Sequence, residues 1–356
     1  MHKHSSKFLL ILLSMAVLIF NGCAQSLNSS KINTNEETNK PDKVLKFTDQ
    51  NSEDSPTGIW EHKFAELVKK YTKGHIQVKL YFNNTLCGYD MQPLQAGIVD
   101  FIQYVPSSAS DLDPRLGAFD APYIYRNPDH RLATFDPFTS KPLQEINESL
   151  KDDHVMLLSS FCSGYRQITC NFPIHDLKEI KGAKIRVVSA DVYQVLFDSF
   201  GAAATPMAFS EVSTALVTHV IDGQENPYSV IAVNAFYEIQ KYLMETNHLP
   251  TNHGLWMNRN TFDSLTPEQQ KAVMQAAYDA SAYMDKFILA KNEEYKRQCK
   301  DHGMVIITQE NGLRLEEFEN AANAVYDHFK DQWGDMPDLI RSVKPEKSVA
   351  DFQLDV

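Results

Sequence analysis

Two arginines, an asparagine and a pair of acids stand out as residues able to do chemistry. Arg186 follows Ile185 in Lys184-Ile185-Arg186-Val187, a run that reads as a buried strand. A bare guanidinium there is costly unless an anion pairs with it, and that anion could be an internal Asp or Glu or a bound ligand. The planar Arg fork meets both oxygens of a carboxylate and stays charged when buried. Arg166, in Gly164-Tyr165-Arg166-Gln167, offers the same chemistry, and Asn226, in Asp222-Gly223-Gln224-Glu225-Asn226-Pro227, adds an amide. Asp222 and Glu225 have the spacing of a carboxylate pair, but Gly223 and Pro227 argue for a loop, where such acids cap helices or fix neighbouring segments. His248 and His253 are five apart with Pro250 between them, so they do not share a helix face as a zinc pair would, and no third ligand is evident. No metal, no cofactor and no enzymatic role is expected, since G-x-S-x-G, P-loop and G-x-G-x-x-G patterns do not occur.

The elements that position these residues follow from the periodicity. Lys43 to Thr48 reads as a strand, and Ser55 with Pro56 opens a helix through Trp60, Phe64, Leu67, Val68 and Tyr71 that Gly74 stops. Ile76, Val78, Leu80 and Phe82 alternate as a second strand, and strand–helix–strand at this spacing predicts a parallel βαβ unit. The pattern continues with a helix over 89–97, a strand over 98–105, a helix over 129–150, and strands over 155–161 and 184–188. Helices follow through Val192 to Phe200 and, capped by Ser210, through Val212 to Val220. From Glu268 to His302 no Gly or Pro occurs, and Thr266, Pro267 and Gln269 form a start signal. Unbroken, such a helix runs about 50 Å, long enough to span two lobes; the alternative is two helices with an unsignalled kink.

The 356 residues suit two domains, and 43% hydrophobic with 22% charged residues excludes wholesale disorder. With 34 basic against 46 acidic residues the net charge is −12, which argues against nucleic-acid partners. Lys3 and Lys7 precede an apolar run from Phe8 to Phe20 that is too short to span a bilayer but has the length of a signal-peptide core. Gly22-Cys23 then resembles a bacterial lipobox, which predicts a leader over 1–22 and lipidation at Cys23. The Ser-, Asn- and Thr-rich stretch completing 23–43 reads as a flexible tether, so the protein is expected outside the cytoplasmic membrane, periplasmic or at the cell surface. Cys87, Cys162, Cys170 and Cys299 are expected to be free, because eight extended residues separate Cys162 from Cys170 by about 26 Å.

Several ordered motifs then coincide. Ser163-Gly164-Tyr165-Arg166-Gln167-Ile168-Thr169, the run Leu177 to Val187, Thr205-Pro206-Met207-Ala208-Phe209-Ser210-Glu211-Val212, Ile221 to Pro227 and Phe236 to Tyr242 together resemble the extracytoplasmic binding subunit of tripartite ATP-independent periplasmic (TRAP) transporters, in its dicarboxylate- and sialate-type branch. The resemblance covers about 44 to 330. It implies an α/β, two-lobed periplasmic-binding-protein-like fold, with mixed sheets flanked by helices, hinge strands and one long lobe-spanning helix. Lobe I would be 44–163 with 252–291, and lobe II 164–251 with 292–356. In the family the arginine matching Arg186 grips the ligand carboxylate, the one matching Arg166 assists, and those matching Asn226 and Phe209 hold and pack the ligand; Ser189 lies just beyond the Arg186 strand. Asn252 and His253 follow the crossover back to the first lobe. Gln50, Asn51, Asp54 and Tyr104, with Ser107 and Ser108, lie after first-lobe strands, where open α/β sheets bind ligands. Val105 and Ser108 stand where sialate-specific members carry a Glu and an Arg, which disfavours sialic acid, and the family's turn after the second strand is altered at Asn83 to Gly88. The implied function is capture of a small organic acid anion (a C4-dicarboxylate, a sugar acid or a related carboxylate) by a monomer that delivers it to a small and a large integral membrane subunit. The alternative is a ligand-binding partner of a sensor kinase.

Overall fold

Alternation at the start of the folded chain does what it predicts. β1 (Lys43–Thr48) buries Leu45 and Phe47 and turns Val44 and Lys46 outward. These coordinates are a computed structural model that describes residues 41–353, so the expected leader, Cys23 and most of the tether lie outside the described residues. The helix Pro56–Tyr71 starts where Ser55 Oγ accepts the Gly58 N–H, and it lays Trp60, Phe64, Leu67 and Val68 against the sheet. β2 (Ile76–Tyr81) pairs parallel with β1 and completes the βαβ unit.

The remaining strands are β3 (Phe101–Tyr104), β4 (Val155–Tyr165), β5 (Gln167–Cys170), β6 (Lys184–Val187), β7 (Ala203–Pro206), β8 (Gly223–Asn226), β9 (Tyr242–Met244), β10 (Pro250–Asn258) and β11 (Val305–Ile307). They build two mixed sheets, β2-β1-β3-β10-β4 and β11-β9-β5-β8-β6-β7. Two strand crossings and one helix carry the chain between them: β4 hands over to β5 through Arg166, β10 returns from the second sheet to the first, and the helix Pro267–Asp301 leads on to β11 in the second. The Arg166 N–H donates to the Leu249 carbonyl at 2.8 Å, which ties the two crossings together. Gly164, at φ +117°, sits beside them, and a Cβ there would lie 3.0 Å from Pro227.

The helix Pro267–Asp301 is unbroken over 35 residues, so the kink is not found. Its predicted capping box is present: Thr266 Oγ1 accepts the Gln269 N–H, and Gln269 Oε1 accepts the Thr266 N–H. Val273, Ala277, Met284 and Ile288 pack into the core beneath the first sheet, whereas Cys299 near the far end joins Val212, Leu243 and Met304 at the second. The tail reaches back across the molecule. Arg126 donates to the carbonyls of Arg341 and Val343, and Lys286 on the long helix to that of Ala350.

Several expected elements differ. The strand over 98–105 is four residues long, and the helix over 89–97 is the single turn Gln92–Gln95. The helix over 129–150 is two, Pro128–Thr134 and Lys141–Ser149, with Pro137 between them and Ser140 Oγ capping the second. Ser210 caps nothing; it lies inside a tight turn, Phe209–Glu211, ahead of the helix Val212–Val217. The expected loop at 222–227 contains β8, a central strand. Gly223 is there because a Cβ would sit 2.2 Å from the Thr169 carbonyl oxygen across the β5–β8 pair, not because the chain turns. Cys170 and Cys299 are buried and Cys87 and Cys162 half-buried, all four as thiols.

Candidate anion-binding site

Arg186 is the third residue of β6, and the pleat that buries Ile185 on one face buries Arg186 on the other, leaving it 3% exposed. Its Nε and Nη2 donate to the Met207 carbonyl at 3.1 and 2.8 Å, and its guanidinium lies 5.9 Å from the Phe209 ring centre. Nη1 has no protein partner, and no carboxylate lies within ion-pair distance of the group among the described residues. The internal Asp or Glu that could have neutralised it is therefore not found. Burial lowers its pKa to about 10, with Glu225 opposing and Arg166 reinforcing the shift, so the group is cationic at neutral pH.

Arg166 behaves differently. It lies on the crossing itself, and the β5–β8 ladder pairs Glu225 of β8 with Ile168, two residues on from Arg166, which brings the acid beside it. Nε and Nη2 both donate to the Glu225 carboxylate, Nη2 also to Asn226 Oδ1, and Nη1 to Thr251 Oγ1 at 3.2 Å. The guanidinium stacks over Tyr193 at 5.4 Å. His248 Nε2 adds a third contact to Glu225 at 3.2 Å. Burial alone would raise the Glu225 pKa, but Arg166 and the His248 hydrogen bond hold it below the usual range, and burial keeps His248 neutral. Arg166 is thus already neutralised, which leaves Arg186 as the uncompensated cation of the pair.

At the end of β3 the first sheet presents Tyr104, whose ring centre lies 4.4 Å from that of Tyr89 with the two planes tilted by 34°. The Tyr89 hydroxyl accepts the Val105 N–H at 3.1 Å, which fixes its ring beside Tyr104. Asp49 ends β1 on the face that buries Leu45 and Phe47. It accepts from Thr57 Oγ1 at 2.6 Å and from the Asn51 backbone at 3.2 Å. Asp120 accepts from the Ser107 N–H at 2.9 Å and from Asn252 Nδ2 at 2.8 Å.

The structure therefore brings together Arg186, Arg166, Asn226 and Phe209 on the second-sheet side and Tyr104 on the first. Other expected contacts are spent elsewhere. Asn252 is fully buried, with its oxygen accepting from Arg131 Nε and its amide donating to the Phe119 carbonyl and Asp120, so it belongs to an internal network with the Arg131–Asp285 ion pair. His253 is half-buried and stacks on Phe161 at 4.6 Å; Nδ1 pairs with Gln103 Nε2 and Nε2 with Ser163 Oγ. Burial, with Arg166 and Arg131 nearby, lowers its pKa to about 3, so it is neutral. Asn51 turns back onto Asp49, Gln50 is partly exposed, and Asp54 and Ser189 are exposed. Tyr89, Tyr193, Asp49 and Asp120 were missed. Asp49 was legible, since the Leu45–Phe47 alternation puts it on the buried face; Tyr89 comes from a loop with no periodic signal. Among the described residues no group of three or more His, Cys, Asp or Glu could hold a metal, and no helix is long and apolar enough to cross a membrane.

Two mixed sheets joined by crossing strands, with a buried cation left unpaired beside the crossing, define a binding-protein-like fold with a candidate anion site. The chain belongs to the family described as bacterial extracellular solute-binding protein, family 7, whose model matches residues 47–332. It is 29% identical over 303 residues to the 2,3-diketo-L-gulonate-binding periplasmic protein YiaO of Escherichia coli, covering 84% of this chain and 90% of that one. Among solved structures it resembles the sugar acid binding protein DctPAm of Advenella mimigardefordensis in complex with galactonate (29% identity, TM-score 0.75, covering 86% and 99% of the two chains). A TRAP periplasmic solute-binding protein of Shewanella oneidensis with bound succinate is also similar (27% identity, TM-score 0.75, covering 85% and 99%). The chain is thus a TRAP-type solute-binding protein with an α/β fold, from a family of periplasmic transport components.

Proposed function

We propose that this protein captures a small organic acid anion by clamping its carboxylate on Arg186 and delivers it to the small and large membrane subunits of a TRAP transporter. The observation that carries this is the buried Arg186 with no protein counter-ion. A guanidinium held that way is stabilised by a ligand carboxylate, each charge-assisted bond contributing about 1.5–3 kcal/mol. Arg166 acts as a rigid backing rather than a second clamp, its fork being held by Glu225, and Asn226 is held between Arg166 and Gln224. Phe209 closes over the guanidinium. The ligands of similar proteins, galactonate and succinate, make a sugar acid, a C4-dicarboxylate or a related carboxylate the ligand class.

The two sheets are the cores of two lobes, 44–163 with 252–291 and 164–251 with 292–356, that close by hinge motion at Gly164–Gln167 and Leu249–Thr251. The tail beyond 334 acts as a strap between them. Residues 1–22 serve as a leader, Cys23 carries the lipid, and the segment to 43 tethers a monomeric binding body near the transporter; the protein performs no catalysis.

The test is thermal unfolding of the full chain against a panel of small carboxylates. A ligand at 100 times its Kd stabilises by about 2.7 kcal/mol. Arg186→Ala should remove that stabilisation while leaving the unliganded protein folded; a variant still stabilised to the same extent would sink the assignment.

A further inference from the structure

The wall that faces Arg186 has a charge pattern of its own. Asp49 is 1% exposed, and Glu61, one turn into the helix Pro56–Tyr71, is fully buried with neither oxygen meeting a donor from the protein. Burial and the neighbouring Asp49 carboxyl push the Glu61 pKa well above the usual carboxylate range, and two neighbouring buried carboxyls cannot both ionise. Burial raises the Asp49 pKa as well, but three donors, Thr57 Oγ1, the Asn51 N–H and Asn51 Nδ2, offset part of that rise and favour its charge over that of Glu61. Glu61 therefore keeps its proton, and the pair carries one negative charge. Asp120 adds a second buried carboxyl on the same wall. Close by, Gln103 Oε1 and Ser107 Oγ are buried with no protein partner, hydrogen-bonding groups that await a ligand or water. His253, beside Gln103, is uncharged, and the cations nearest this wall, Arg131 and Arg166, are already paired with Asp285 and Glu225.

We propose that this wall sets ligand specificity: the site takes a single carboxylate on Arg186 and a hydroxyl-bearing tail against the Asp49–Glu61 and Asp120 side, and it turns away a second carboxylate. The proposal rests on Arg186 as the anchor. A hydroxyl on the tail donates to a carboxylate oxygen or to Gln103 Oε1, whereas a carboxylate placed there meets like charge in a low-dielectric setting. The chemical class is thus a polyhydroxylated monocarboxylate rather than a diacid.

The experiment is calorimetric titration of the full chain with two matched pairs, D-gluconate against D-glucarate and D-erythronate against meso-tartrate. Within each pair chain length is kept and a terminal alcohol is exchanged for a carboxylate. The monoacid should bind more tightly in at least one pair, by about tenfold or more. Asp49→Asn should narrow that ratio, chiefly by tightening the diacid, and Asp120→Asn serves as an independent variant should the first not fold. A diacid that binds wild type as tightly as its partner overturns the proposal, as does a ratio unmoved in both folded variants or no binding of any of the four. Arg186→Ala separates the two claims. Loss of all binding in that variant, together with equal affinity for mono- and diacid in wild type, removes the specificity proposal alone; binding that survives the variant removes the anchor.

Discussion

Replacing Glu225 by Gln keeps the shape of the side chain and deletes its charge. In wild type that charge is fully buried, holds Nε and Nη2 of Arg166, and accepts from His248. After the change Arg166, itself 2% exposed, keeps its positive charge with only Asn226, Thr251 and the Glu225-position carbonyl as neutral partners. Breaking a buried pair from one side typically costs about 3–5 kcal/mol, because the remaining ion is still desolvated. For a chain of this size each kcal/mol moves Tm by about 2 °C, so the variant should melt about 6–10 °C lower. The folded Glu225 carboxyl titrates below the ordinary range, so its contribution is full above the unfolded pKa of about 4.3 and is lost only as pH falls through the lowered folded value. The deficit should accordingly be flat from about pH 5 to 8. Removing both charges with Arg166→Met and Glu225→Leu should recover much of it, since two apolar groups leave no ion stranded. Thermal and denaturant unfolding of Glu225→Gln, of Arg166→Met and Glu225→Leu singly, and of that pair combined closes the cycle. A Glu225→Gln protein within about 1 kcal/mol of wild type would refute the claim that Arg166 is held by this pair rather than kept for ligand.

Gly223→Ala should be severely destabilising, by at least about 2–3 kcal/mol in denaturant unfolding, because its Cβ would press on the Thr169 carbonyl and part the β5–β8 ladder that holds Glu225 under Arg166. His253 has a folded pKa of about 3, far below its unfolded value near 6.5, so the stability it confers is full above about pH 6.5 and declines as pH falls towards the folded value. His253→Phe should keep the stack on Phe161, orphan Gln103 and Ser163, and flatten the acid limb of the stability profile; an unchanged slope would count against a neutral buried His253. Asp285→Asn should strand Arg131 within the network of Ser160 and Asn252 and lower Tm by an amount comparable to Glu225→Gln, without changing which carboxylates bind.

Local signals were read well wherever they settle the structure locally. Ser55-Pro56 and Thr266 with Gln269 start their helices as their side-chain chemistry dictates, and the period-two runs at 43–48 and 76–81 form the expected parallel pair. The segment 222–227 misled because Gly and Pro punctuate turns more often than strands, and only the neighbouring backbone, 54 residues away in sequence at Thr169 and invisible to it, requires a glycine there. Arg186 was expected to grip the ligand and Arg166 to assist it, and nothing in either run shows that Arg166 is taken up by a protein acid. What separates them is whether an acid arrives from another strand: Glu225 reaches Arg166 across β5–β8, whereas β6 pairs Arg186 with Gln224 and Thr205. Glu61 could have been found, being three and seven residues from Phe64 and Val68 on the buried face of its helix. Asn252 could not, since its partners Arg131, Phe119 and Asp120 lie more than a hundred residues away.

The most direct test of Arg186 as the anchor is a crystal structure of the full chain with a carboxylate that stabilises it. Both oxygens of that carboxylate should lie within about 2.7–3.0 Å of guanidinium nitrogens of Arg186, with Arg166 still paired to Glu225. A ligand carboxylate seated on another cation, with Arg186 still bonded only to the Met207 carbonyl, would contradict it.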